Sequence, residues 1–187
     1  MRYFAEESPK ARKGRSLSKA QQQAINRNFS RRWRAYRKQL ERIQGRMSQQ
    51  AWNFFYLGFG RWGLHDAHLL SFTVGDRLDY STDGRTPFTY NTEKAKVRIV
   101  ILNRHQNLLC SFHLTDIHRV IFDHPAQDPR WNSNRIDLLE TYELTSVNKR
   151  YLRLEFLFAS GATILVEFAR MKFKRQRVRT REPKGLA

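Results

Sequence analysis

The sequence predicts an α+β protein, with one long N-terminal amphipathic helix packed on an antiparallel β-meander of about six or seven strands. Two observations carry this expectation. Apolar residues recur at helical spacing up to about residue 57, then at a spacing of two from residue 68 onward. The connections in the second part are short and rich in turn residues, the signature of strands that double back on one another. There is no strand–helix–strand alternation and no repeat at a fixed period, which argues against a doubly wound sheet or a solenoid.

Residues 1–17 are polar and basic, with Pro9 and Gly14, and read as a flexible basic arm. The helix is expected over 18–57. Ser18 opens it with a capping box, its hydroxyl placed for the Gln21 N–H and the Gln21 side chain for the Ser18 N–H. One apolar stripe follows through Ile25, Phe29, Trp33, Tyr36, Leu40, Ile43, Met47, Ala51 and Phe54, in steps of three and four. Gly45 weakens the helix by about 1 kcal/mol relative to alanine and marks a point where it can kink or break. Gly58, Gly60 and Gly63 then end the pattern.

Seven stretches have strand character: 68–75, 96–103, 107–114, 116–123, 137–147, 150–160 and 162–178. The stretch 96–103 is apolar on both faces and suits a central strand. The cleanest alternation puts Leu152, Leu154, Phe156 and Phe158 inward, matched by Ile164, Val166 and Phe168 across a Ser160–Gly161 turn. With one helix on one face, the other face must be polar, curl into a partly closed barrel or meet a second subunit. The single domain is thus expected over 18–178, with the sheet at 68–178 and a basic tail at 179–187.

With 187 residues, 40% of them hydrophobic, the chain can bury a sizeable core. A single cysteine, Cys110, allows no internal disulfide. No apolar run reaches signal-peptide or transmembrane length, and a cytoplasmic location is expected. The formal net charge of +18 is unevenly distributed. Residues 1–50 carry 14 Lys+Arg against 3 Asp+Glu, residues 51–169 carry 13 of each, and residues 170–187 carry 8 against 1. Charge gathered at two ends of an otherwise neutral domain points to a polyanionic partner.

Two kinds of residue are candidates for function. Six histidines, His65, His68, His105, His113, His118 and His124, lie near Asp66, Asp116 and Asp123, and a metal-dependent hydrolase built on them is one alternative. Their spacing argues against it. There is no His-Glu-x-x-His motif and no cysteine pair, and on an extended strand His65 and His68 would face opposite sides. Asp66 is expected to fix a turn by bonding backbone N–H groups two residues on. Cys110 lies in an alternating strand and reads as core. Paired carboxylates such as Asp137/Glu140 and Glu143/Glu155 have nothing to place them in a cleft. No Gly-x-Ser-x-Gly elbow or phosphate-binding glycine loop is present. No cofactor and no metal ligand is therefore assigned, and the non-enzymatic reading is preferred.

The second kind is basic. Opposite the apolar stripe lie Arg27, Arg31, Arg34, Lys38 and Arg42, flanked by Arg32, Arg37 and Arg46. From Arg27 to Arg46 the only acid is Glu41, whereas a solvated helix face normally mixes signs. Arginine suits bidentate phosphate contacts, and the stretch covers roughly 28 Å of helix, close to one duplex turn of about 34 Å. The C-terminal stretch adds Lys172, Lys174, Arg175, Arg177 and Arg179. The expected function is binding of nucleic acid, RNA or DNA, through its phosphates, without strong sequence preference. An acidic protein partner is the alternative. A membrane is not expected, because the apolar stripe is needed for the sheet.

Leu64, His65, Asp66, Leu69 and Leu70, together with Gly161, Ile164, Val166 and Phe168, resemble small uncharacterised bacterial domains that open with Leu-His-Asp. Some of those are grouped with toxin-immunity proteins. The resemblance covers residues 62–173 and omits both basic ends. It implies a small protein-interaction domain and carries over no catalytic residue.

Overall fold

The computed structural model describes Tyr3 and residues 18–57, 63–75, 95–123 and 138–178. The expected capping box is formed: Gln21 N–H donates to Ser18 Oγ (3.2 Å) and Ser18 N–H donates to Gln21 Oε1 (2.9 Å). Helix α1 runs Lys19–Arg42. The expected continuation to residue 57 is a second helix, α2, Gln49–Leu57. Between them lie a 3-10 turn, Gln44–Arg46, and an extended Met47. Gly45 lies within this turn, without a left-handed φ, and Ser48 restarts the helix by accepting the Ala51 N–H (3.2 Å).

Six strands follow: β1 His68–Gly75, β2 Lys96–Leu102, β3 Leu108–Asp123, β4 Leu139–Ser146, β5 Leu152–Phe158 and β6 Thr163–Arg177. All pairings are antiparallel, in the order β1-β2-β3-β6-β5-β4. The sheet is thus two three-stranded meanders joined where β3 lies against β6. The separate stretches 107–114 and 116–123 form one strand, β3. Asp116 adopts a left-handed φ of 54°, and the register shifts between Ile117 and Arg119. A bulge of this kind bends a strand without ending it.

That bend organises the core. Phe112 lies opposite Phe173 in the β3–β6 register, and Phe156 lies opposite Ile164 in the β5–β6 register. Ile164 and Phe173 stand roughly 30 Å apart along an extended strand. Yet the Phe112 and Phe156 ring centroids are 5.7 Å apart. The sheet therefore folds over on itself and encloses one core cluster, in which Phe54 of α2 stands 4.6 Å from Phe173 and 5.6 Å from Tyr142.

The sheet stays open as a barrel, but its two edges meet at one bridge. Ala67, just before β1, pairs with Leu139 at the start of β4. Asp66 N–H donates to Leu139 O and Leu139 N–H donates to Ala67 O, both at 2.8 Å. Farther along, α1 takes over the edge of β4. The buried Tyr36 hydroxyl accepts the Leu144 N–H (3.0 Å). With its amide oriented to satisfy both bonds, Gln39 donates to Leu144 O (3.1 Å) and accepts from Ser146 N–H (2.9 Å). Side chains of α1 thereby occupy backbone groups that an edge strand would otherwise present for pairing. Of residues 1–17 only Tyr3 is described. Its N–H donates to Glu143 Oε1 (2.8 Å) and its ring lies 5.4 Å from Tyr36.

Replacing Tyr36 by Phe leaves the Leu144 N–H unpaired in a buried position and is expected to cost about 1–3 kcal/mol. Phe54→Ala, which empties the centre of the aromatic cluster, is expected to cost about 3–5 kcal/mol. Urea unfolding of the two variants checks both the magnitudes and their order.

Candidate nucleic-acid interface

The basic residues of the N-terminal segment fall into two sets. Arg27, Arg31, Arg34, Lys38 and Arg42 are all exposed. Arg31 Nη2 donates to Asn28 Oδ1 (3.1 Å) and Arg34 Nε to Ser30 O (3.3 Å), so neither charge is cancelled by these contacts. Among the described residues none of the five forms an ion pair. Ala24, Arg27, Asn28 and Arg31 lie along a shallow, open groove. Two of the flanking arginines have structural duties instead. Arg37 lies over the Tyr56 ring, 4.2 Å from its centroid. Arg46 donates to Ser146 Oγ (3.3 Å) and Asn148 O (2.9 Å), tying the helix break to the β4–β5 turn; burial lowers its pKa.

Strand alternation divides the C-terminal group in the same way. Lys172 and Lys174 are exposed on either side of the buried Phe173 and so project from the face opposite the core. Arg175 and Arg177 fall on the other alternation, opposite Cys110 and Leu108, and are exposed near the strand's end. Arg179 lies outside the described residues. The stripe on α1 and the lysines of β6 are thus on separate elements, α1 having its main contacts with β4 and α2.

Pairing of β6 with β3, and of β3 with β2, adds residues that sequence reasoning missed. The registers place Arg98, His113 and Lys172 in one row across β2, β3 and β6. Lys96, Thr115 and Arg170 form the next row on one side, and Val100, Ser111 and Lys174 the next on the other. Lys96, Arg98, Lys172 and Lys174 are all exposed. Arg170 is paired with Asp116. Lys96 and Arg98 lie in the charge-balanced middle of the sequence, so only strand order could reveal their contribution. The outer face of the other half of the sheet is compensated. Arg119, Glu167 and Arg153 share a row there, and Arg153 Nη2 donates to the buried Glu167 at 2.6 Å.

The histidine and carboxylate alternatives can be placed too. His65 Nδ1 is 3.1 Å and Arg104 Nη1 3.3 Å from Asp66 Oδ2. Asp66 does sit in a turn, with φ 59° and Ala67 N–H donating to Leu64 O (3.0 Å), but its carboxylate meets these two side chains rather than the expected backbone N–H groups. His118 stacks on Tyr151, with ring centroids 4.6 Å apart. His68 and His105 are exposed on β1 and in the β2–β3 turn, and His124 lies outside the described residues. Among the described residues no three His, Cys, Asp or Glu side chains are grouped to hold a metal ion. The register puts Glu143 opposite Glu155, but Glu143 is fully buried and accepts the Tyr3 N–H. Asp137 lies outside the described residues.

No protein-family model, curated protein or solved structure matches the chain. No helix among the described residues is long and apolar enough to cross a membrane.

Burial pushes the Cys110 thiol up to about 12, with Arg175 pulling the other way. The thiolate is the reactive form, so the native protein is expected to resist iodoacetamide near pH 8 and to react promptly once unfolded. Mass spectrometry of timed samples distinguishes the two states, and rapid native labelling would contradict the burial.

Proposed function

We propose that the protein binds nucleic acid through its phosphates, using the exposed cationic stripe of α1 and the lysines of β6. The observation that carries this reading is the single-sign face of α1. Arg27, Arg31, Arg34, Lys38 and Arg42 all lie exposed there, while its opposite face is taken by Tyr36 and Leu40 packed in the core. Glu41, the one acid in that stretch, accepts the Tyr56 hydroxyl at 2.8 Å. Contacts from such a surface to a phosphate backbone carry no sequence information, so weak sequence preference goes with this mode of binding. The chemistry is the same for RNA and DNA.

A second reading, a protein-interaction module of the kind suggested by the Leu-His-Asp resemblance, is favoured by exposed apolar residues on β1, where Leu70 and Val74 are about half exposed. Such a partner would hold equally well after charge reversal on α1.

The test is binding of labelled DNA duplex and of single-stranded RNA across a salt series. Each phosphate neutralised contributes about 0.9 to the slope of log affinity against log salt for B-form DNA. Reversing three contacts with Arg27→Glu, Arg31→Glu and Arg34→Glu should make that slope shallower by roughly 2.7. Absence of binding near 50 mM salt, or affinity indifferent to salt, would remove the proposal.

A further inference from the structure

On the outer face of the sheet, His113 is enclosed by cations from both neighbouring strands. Arg98 of β2 and Lys172 of β6 are its direct register partners. Strand spacing places their backbones about 5 Å to either side. Lys96 and Val100 of β2 flank Arg98, and Lys174 and Arg170 of β6 flank Lys172. On β3 itself the neighbours on this face are Ser111 and Thr115. Asp116, next along β3 from Thr115, is paired with Arg170. Beyond β2, Thr73 of β1 completes the row and adds no charge.

We propose that this face takes up a proton at His113 when phosphates dock on it, so that polyanion binding strengthens as the pH falls. The inference rests on the nucleic-acid reading and adds to it a site assembled from three strands and a control by pH. The physical basis is a reversal of environment. In the free protein His113 is half-buried, and burial pushes its imidazole below the ordinary range, with Arg98, Lys174 and Lys172 pushing it further down. A phosphate seated among Arg98, Lys172 and Lys174 supplies the missing negative charge, which favours the imidazolium. The proton comes from solvent. Once charged, both ring nitrogens donate, which adds a donor for phosphate oxygen.

The sign follows from linkage. The bound state holds the proton more tightly than the free state, so affinity gains as pH drops toward and below the ordinary imidazole value of about 6.5. One linked proton gives at most about a tenfold gain per pH unit.

The test uses the whole protein and a fluorescein-labelled DNA duplex of about two turns, titrated at fixed ionic strength between about pH 7.5 and pH 5.5. The wild type is expected to gain several-fold in affinity over this range. His113→Asn should lose most of that gain, and His113→Lys should bind tightly with little pH dependence. NMR titration of His113 in the wild type gives an independent readout, with its midpoint moving upward on addition of duplex. Duplex binding with an unchanged pH response in His113→Asn, or an unmoved His113 midpoint, overturns the proton linkage and leaves the nucleic-acid reading standing. No duplex binding at any pH overturns both.

Discussion

Everything in this fold depends on the long β3–β6 ribbon turning back on itself. Each half of the ribbon belongs to a different meander, β1-β2-β3 on one side and β4-β5-β6 on the other. A flat ribbon would leave each meander with its own small apolar face and no cover. The turn occurs where Asp116 adopts a left-handed φ and β3 carries its bulge. There the ribbon's core-facing positions step by three instead of two, from Leu114 to Ile117 on β3 and from Phe168 to Met171 on β6. Both meanders then pack against one core, and the Phe112–Phe156 and Phe72–Phe122 ring contacts join halves that are distant along the strands.

The same turn decides which strand edges meet. Once folded over, the outer strands β1 and β4 approach at their first residues, and the Ala67–Leu139 bridge fastens them. Leu64, Ala67 and Leu139 are all fully buried at this seam. The Leu-His-Asp segment thus has a mechanical duty: it delivers β1 to the closing point, held by Asp66 against Arg104 and His65. The remaining edge of β4 is satisfied by Tyr36 and Gln39, which commits one face of α1 to the sheet. The arginine stripe is exposed because its helix has already spent its apolar side.

Local features were legible in the sequence because they are set within a few residues. The capping box at Ser18, the apolar stripe through Tyr36 and Leu40, and the alternation of β5 and β6 all follow from backbone periodicity and side-chain chemistry. The exposed face of α1 was legible for the same reason, being the complement of the stripe. The break at Met47–Ser48 was half legible: Gly45 announced weakness, while Ser48 as a new cap was the unused signal. The basic run sets Arg175 and Arg177 beside Lys172 and Lys174 in sequence, but strand alternation sends the two pairs to opposite faces.

By itself, then, the sequence determined the class of the protein, the stretches with strand character, the amphipathic helix and the cationic stripe, each a consequence of interactions between near neighbours along the chain. Only the tertiary structure decided that β3 continues through Asp116, that β6 returns to β3 and that Ala67 meets Leu139. It alone set Arg98, His113 and Lys172 side by side. Period and propensity act over a few residues, whereas strand order is settled by which apolar faces can be buried together across more than a hundred positions of chain. For that reason a row of cations drawn from three strands leaves no pattern in the linear sequence.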